Sequence, residues 1–163
     1  INTFLQSIKK INDLKLEQKM QFVIVGDYRI KNDFDYKLFK QVLNFTNVKY
    51  YSFNNNIKKF IYDSQCVVLP SFREGTSKIL LEALSCGRPI ITSNQPGCAY
   101  LVNNYKNGFI CKIDNSNSLI DCLKKFSSLS YEKKLLISQN AREFAKNYFN
   151  EKIVIKEYMD NLK

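Results

Sequence analysis

Histidine is absent from these 163 residues. Its absence removes Ser-His and Cys-His catalysis from this segment and leaves carboxylates, lysines and backbone dipoles for any chemistry. Cysteine occurs five times (Cys66, Cys86, Cys98, Cys111, Cys122), with no C-x-x-C pair and no metal-ligand spacing. The number is odd, and most of these residues sit in apolar runs such as Cys66-Val67-Val68-Leu69. Buried free thiols of a reducing compartment are therefore expected, not disulfides. Nothing approaches the roughly 18 continuous apolar residues of a membrane span, and no signal peptide is visible. Linkers, repeats and low-complexity tracts are missing too. The chain starts at Ile1, without an initiator Met, and enters a helical pattern at once. That beginning is the one expected of a domain belonging to a longer polypeptide.

What is present describes one globular domain: 45% hydrophobic and 25% charged residues, with length enough for a sizeable core. Lys and Arg number 25 against 15 Asp and Glu, a net charge of +10. Such a surplus suits nucleic acid, phosphorylated ligands or an anionic membrane face, and equally a Lys-rich composition with no binding role. The doublets Lys9-Lys10, Lys58-Lys59, Lys124-Lys125 and Lys133-Lys134 are scattered, as solvated helix faces would be. Ten tyrosines and twelve phenylalanines could stack on nucleic-acid bases. Most recur at core spacing, as in Phe34, Leu38 and Val42, so core is the better reading. Cys86 beside Gly87, with an apolar surround, reads as packing and not as a nucleophile.

Two periodicities alternate along the chain. Phe4, Leu5, Ile8, Ile11 and Leu14 mark a first helix, and Phe22-Val23-Ile24-Val25-Gly26 a short buried strand. Helices follow at about 33–45, 57–62, 76–85, after Gly97 and at 118–126, and strands at 48–51, 66–70, 89–92 and 109–111. Beyond Ser128 the pattern is helical only, with Ser130 as N-cap of a helix to Tyr148 and another over 151–162. Strands separated by helices mean βαβ units, so the fold class expected is α/β: a doubly wound parallel sheet with a helical C-terminal tail.

Ligands of such sheets sit beyond the carboxyl ends of the strands. The richest junction of that kind runs from Leu69-Pro70-Ser71-Phe72-Arg73-Glu74-Gly75 into Thr76-Ser77-Lys78-Ile79-Leu80-Leu81-Glu82. Gly75 permits close approach of the backbone, and the first N–H groups of the helix point outward. That arrangement suits a diphosphate. Glu82, about 9 Å along the helix at ~1.5 Å per residue, can accept bonds from the two hydroxyls of a ribose. Glu74, in the loop, is free to face a sugar. A capped helix with solvated charges, Thr76 or Ser77 being the cap, explains the same spacing. A G-x-G-x-x-G dinucleotide site does not, because that motif is absent.

Glu74 and Glu82 enclose seven residues, flanked in order by Pro70-Ser71, Leu81-Glu82-Ala83 and Cys86-Gly87-Arg88-Pro89-Ile90-Ile91. This pattern strongly resembles glycosyltransferase family 4, the retaining GT-B enzymes with an E-x7-E signature. Phe22-Val23-Ile24-Val25-Gly26-Asp27, Asn47-Val48-Lys49-Tyr50-Tyr51-Ser52-Phe53, Pro96-Gly97-Cys98 and Asn107-Gly108-Phe109 extend the resemblance over essentially the whole chain. It implies a Rossmann-like C-terminal GT-B domain over residues 1–163 that binds the nucleotide-sugar donor. The domain's first strand and the acceptor-binding N-terminal domain would lie outside the chain, so the segment alone should not turn over. Glu74 would be the catalytic residue contacting the donor sugar, and Glu82 would bind the ribose hydroxyls. The N–H groups of Gly75, Thr76 and Ser77 would hold the diphosphate, while Phe53 and Asn54 would cup the base.

The resemblance also implies no metal and no cofactor, the leaving diphosphate being stabilised by helix dipole and cations. Within the family the sequence looks most like bacterial transferases of surface polysaccharide or lipid-linked oligosaccharide. The donor would be a UDP-hexose or UDP-N-acetylhexosamine and the acceptor a saccharide or lipid-linked saccharide. Location would be cytoplasmic, at the inner face of the cell membrane with a peripheral contact, and no nucleic acid would be bound. The final helix, with its stripe Ile153, Val154, Tyr158, Met159 and Leu162, would cross back onto the N-terminal domain. Two features depart from the family pattern. The basic loop with an Arg and a Lys-Gly that grips the diphosphate would precede Ile1, and Tyr100 stands where an acidic residue is common. A non-catalytic nucleotide-binding or regulatory module is the alternative, and the intact Glu74 and Glu82 weigh against it.

Overall fold

The computed structural model describes residues 1–16, 20–27, 33–103 and 105–161, apart from the side chains at 33, 34, 154, 156 and 157. Expectations that rest on Leu162 and on the side chains of Phe34 and Val154 lie outside the described residues. The elements follow the expected alternation: α1 (Asn2–Asp13), β1 (Phe22–Val25), α2 (Asp33–Leu43), β2 (Val48–Tyr51), α3 (Ile57–Asp63), β3 (Val67–Leu69) and α4 (Lys78–Ser85). Then come β4 (Ile90–Ser93), α5 (Pro96–Ala99), β5 (Gly108–Cys111), α6 (Ser116–Ser127), α7 (Tyr131–Tyr148) and α8 (Glu151–Asp160). Every recorded strand pair is parallel, with Phe22 opposite Val48, Val67 opposite Ile90, and Ile90 opposite Gly108. The ladders form two groups, β1-β2 and β3-β4-β5, where the sequence pattern suggests one sheet.

Side-chain alternation along the strands builds a core on each face. In β4, Ile91 joins Phe4, Leu5, Ile8, Phe22, Leu38 and Phe109 beneath α1, α2 and α6. Its neighbour Ile90 joins Leu80, Leu84, Leu101 and Ala141 beneath α4 and α7. Val68 and Val67 divide between the same two cores. Side chains such as Leu5, Ile8, Leu84 and Ile91 are fully buried, each contributing about 1.5–3 kcal/mol by leaving water. β4 is buried at all four positions, as a strand with neighbours on both sides and helices above and below must be.

Local sequence accounts for the ends of the helices. The Asn115 side chain accepts from Ser118 N–H at 2.8 Å, which starts α6 at Ser116, two residues before the apolar periodicity places it. Ser130 caps α7 as expected, accepting from Lys133 N–H at 3.3 Å. α4 ends where Gly87 takes φ +67°, a conformation that favours glycine. There Gly87 N–H donates to Leu84 O and Arg88 N–H donates to Ala83 O, the paired bonds of a Schellman stop. No helix among the described residues is long and apolar enough to cross a membrane.

Candidate functional site

β3 delivers the chain to Pro70, which cannot extend the ladder, and a loop runs from there to Ser77, the N-cap of α4. Gly75 and Thr76 are exposed, whereas Ser77 is 3% exposed. The Ser77 side chain makes no cap hydrogen bond. The exposed residues Gly75 and Thr76 lie directly ahead of this helix opening, an arrangement suited to an anion. α4 opens at Lys78 and not near Thr76, because Ser77 is extended (φ −78°, ψ 108°) and the loop before it is held elsewhere. Glu82 consequently lies only about 6 Å along the helix axis at ~1.5 Å per residue. Its carboxylate, 37% exposed, stands 3.7 Å from the Lys78 ammonium on the same turn.

What holds the loop is the segment that follows β4. Thr92 Oγ1 donates to Leu69 O at 2.8 Å, Ser93 Oγ donates to Ser71 O, and Gln95 Nε2 donates to Glu74 O at 2.9 Å. Gly97 packs so closely beneath the loop that a Cβ there would overlap the carbonyl oxygens of Glu74 and Gly75. Tyr100 Oη donates to Thr76 Oγ1 at 3.0 Å, and within the loop Ser71 Oγ donates to Glu74 Oε1 at 3.3 Å. Two loop carbonyls, those of Ser71 and Glu74, and the last strand carbonyl, Leu69 O, are thus engaged by the segment from β4 to α5. Gly75 behaves differently from Gly97: no atom comes within 4 Å of a Cβ built on it. Nothing in the protein's own packing demands glycine at 75.

Phe53 and Asn54 stand on a separate loop, after the carboxyl end of β2. Phe53 N–H donates to Asp27 Oδ1 at 3.1 Å, while its ring is 71% exposed. Asn54 Oδ1 accepts from Asn56 N–H at 2.8 Å, so its carbonyl serves its own turn. Phe72 and Arg73, on the β3–α4 loop, are exposed as well.

Sequence reasoning passed over Asp27, Ser71, Thr92, Ser93 and Gln95. The available signal was Thr92-Ser93-Asn94-Gln95, a polar run replacing apolar residues at the carboxyl end of a buried strand. It also passed over Asp33-Phe34-Asp35, an Asp-x-Asp spacing of the kind that can hold a divalent ion. Asp35 is buried in α2 and accepts from Asn2 Nδ2 at 2.7 Å, a contact between α1 and α2 away from the β3–α4 loop. Among the described residues no group of three His, Cys, Asp or Glu side chains is placed to hold a metal ion. All five cysteines are free thiols. Burial pushes Cys66 and Cys111 up to about 12 and raises Cys98 and Cys122, so these four are unreactive neutral packing groups.

A cleft of about 440 Å3 lies at the opposite end of α4, lined by Lys58, Tyr62, Ser85, Cys86, Gly87 and Arg142. Lys58 lies over the Tyr62 ring, and two arginines are engaged with helix ends: Arg142 donates to Ser85 O, and nearby Arg88 donates to Tyr62 O at 2.6 Å. The arginines serve as C-terminal caps of α4 and α3.

Residues 1–144 match the family described as glycosyl transferases group 1. The chain is 32% identical over 148 residues to the UDP-Gal:alpha-D-GlcNAc-diphosphoundecaprenol alpha-1,3-galactosyltransferase of Escherichia coli, covering 90% of this chain and 38% of that protein. Anabaena Alr3699/HepE, solved in complex with UDP, matches with a TM-score of 0.84 at 18% identity, over 99% of this chain and 44% of that one. The C-terminal domain of LpcC, a glycosyl transferase group 1 family protein from Francisella tularensis, matches with a TM-score of 0.77 at 20% identity. That match covers 91% of this chain and 78% of that one. The fold is the one the resemblance implies, a Rossmann-like C-terminal domain of the GT-B type. By its sequence, the chain belongs to the glycosyl transferases group 1 family.

Proposed function

We propose that this chain is the donor-binding part of a retaining glycosyltransferase that moves a sugar from a UDP-hexose or UDP-N-acetylhexosamine to a polysaccharide or lipid-linked saccharide. The observation that carries the reading is the uncapped opening of α4, with Gly75 and Thr76 exposed directly behind a buried parallel strand. The amides of Gly75, Thr76 and Ser77 hold the diphosphate, Glu82 takes the ribose hydroxyls, and Glu74 faces the transferred sugar as the catalytic carboxylate. Phe53 and Asn54 cup the base from the loop that Asp27 anchors. The E. coli relative, named for a UDP-galactose donor and a diphosphoundecaprenol acceptor, supports the choice of base and acceptor. An acceptor of that kind places the reaction at the cytoplasmic face of a membrane. The helix dipole and cations stabilise the leaving diphosphate, with no metal required.

The rest of the enzyme is proposed on the same footing. β1 and β3 each pair on one edge only among the described residues, while α1 packs against both α2 and α6. A further parallel strand leading into α1 would pair with both edges and unite the ladders, with right-handed crossovers throughout. The strand, the basic loop and an acceptor-binding domain belong to the polypeptide ahead of Ile1. The chain spans 38% of the E. coli relative's length, room enough for them.

A nucleotide panel read by thermal unfolding tests the proposal. UDP at tenfold over its Kd stabilises the native state by about 1.4 kcal/mol, a rise in Tm of about 3–6 °C for a domain of this size. The rise should survive EDTA and require a high-micromolar or greater Kd, because the basic loop is not part of this chain. A rise with GDP or ADP in place of UDP contradicts the choice of base, and dependence on magnesium or manganese contradicts the metal-free mechanism.

A further inference from the structure

We propose that Tyr100 is a positioning residue for the diphosphate of the donor, acting through the hydroxyl of Thr76; this rests on the function proposed above. Tyr100 is the C-cap of α5, and its phenol O–H donates to Thr76 Oγ1 at 3.0 Å. The Tyr100 ring rests against Phe149, with centroids 6.3 Å apart, and Phe149 rests against Phe144 at 5.8 Å. The Tyr100 ring, 47% exposed, is thus backed on one side by the corner between α7 and α8. A threonine hydroxyl that accepts one bond still has a proton to give. Thr76 is exposed, and no described residue accepts that proton. The direction left open is the solvent at the start of α4, where the diphosphate is placed. A bound phosphate oxygen completes the chain Tyr100 O–H to Thr76 O–H to oxygen anion, and each bond polarises the next.

The arrangement makes Tyr100 a neutral donor beside Thr76. A carboxylate beside Thr76 would repel the diphosphate unless another cation offset it, whereas a phenol adds no charge. The group sensed is the phosphate and not the base or ribose, because Thr76 sits at the helix opening while Phe53 stands on another loop. Tyr100 also ties the loop to the α7–α8 corner, so the α5 brace and the C-terminal helices meet at one hydroxyl.

The test compares UDP and UMP affinities for the wild-type protein, Tyr100→Phe, Thr76→Val and the double variant. Tyr100→Phe keeps the ring against Phe149, so the unliganded Tm should stay within about 1 °C of wild type for so small a change in packing. The UDP affinity, and the ratio of UDP to UMP affinity, should fall about 2- to 10-fold in each single variant, the weight of one hydrogen bond. The double variant should lose no more than the weaker-binding single, because both substitutions cut the same chain. Equal UDP affinity in wild type and Tyr100→Phe overturns the proposal, as does a parallel loss of UDP and UMP or a multiplicative loss in the double variant. A wild type that binds no UDP overturns the parent reading and this proposal with it.

Discussion

Gly75 and Gly97 are separated by one helix and one strand, and the structure makes opposite demands on them. Gly97 is fixed by the protein itself, because the Glu74 and Gly75 carbonyls occupy the space of its Cβ. Gly97→Ala should destabilise by more than about 2 kcal/mol, the scale of forced overpacking, and drag the loop out of place. Gly75 has open space around it, so Gly75→Ala should leave Tm unchanged or raise stability by about 0.4–1 kcal/mol through the unfolded chain. The same substitution should weaken UDP binding, since only a ligand lying against the backbone opposes that methyl group. Unfolding curves and UDP titrations on both variants check this, and a Gly75→Ala protein that binds UDP like wild type removes the argument for close approach. Glu82→Gln should weaken UDP binding about tenfold or more, as a charge-assisted bond of roughly 1.5–3 kcal/mol is lost. Loss of the exposed Lys78–Glu82 pair costs at most about 0.5 kcal/mol, so an unchanged UDP affinity would reduce Glu82 to a surface carboxylate. The spacing of Glu74 and Glu82 was legible from the sequence because both lie on one loop-helix unit. The brace of Thr92, Ser93, Gln95 and Tyr100 was not, because it depends on the β3–β4 register that sets Leu69 beside Thr92.

At the scale of elements, order and type were legible throughout, since apolar period separates buried strands from amphipathic helices. Boundaries were less so where two capping residues compete. Thr76 and Ser77 are both good caps in isolation, and contacts from β4–α5 hold Thr76 in the loop and leave the cap to Ser77. α8 raises a different question. Ile153 is half-buried, and Ile155, Tyr158 and Met159 are exposed along it. Apolar side chains concentrated on one helix mark a docking surface, which the proposed function assigns to an acceptor-binding domain. The chain alone should therefore self-associate as its concentration rises in sedimentation velocity, and Tyr158→Lys with Met159→Lys should abolish that. A wild-type chain that stays monomeric, with α8 amides fully protected from hydrogen exchange, contradicts the crossover role.

For the whole molecule, the parallel ladders, the helices on both faces and the two cores set the proposed donor site beyond the strand carboxyl ends. The division into two ladders was not legible, because the pattern of each strand reports its own burial and not which neighbour lies beside its free edge. The net charge of +10 remains a property of the whole surface, and in the far cleft Arg142 is occupied by a helix carbonyl while Lys58 lies over the Tyr62 ring. The two ends of α4 therefore offer a direct comparison: an uncapped opening at Gly75-Thr76, and a cationic cleft at Lys58 and Arg142. Amide chemical-shift mapping of a UDP titration distinguishes them in one measurement. The account predicts saturable shifts concentrated at Gly75, Thr76, Ser77, Lys78 and Glu82, with a second group at Phe53 and Asn54, and little change around Lys58, Ser85 and Arg142. Shifts confined to the far cleft, or scattered over the lysine-rich surface without saturation, would contradict it.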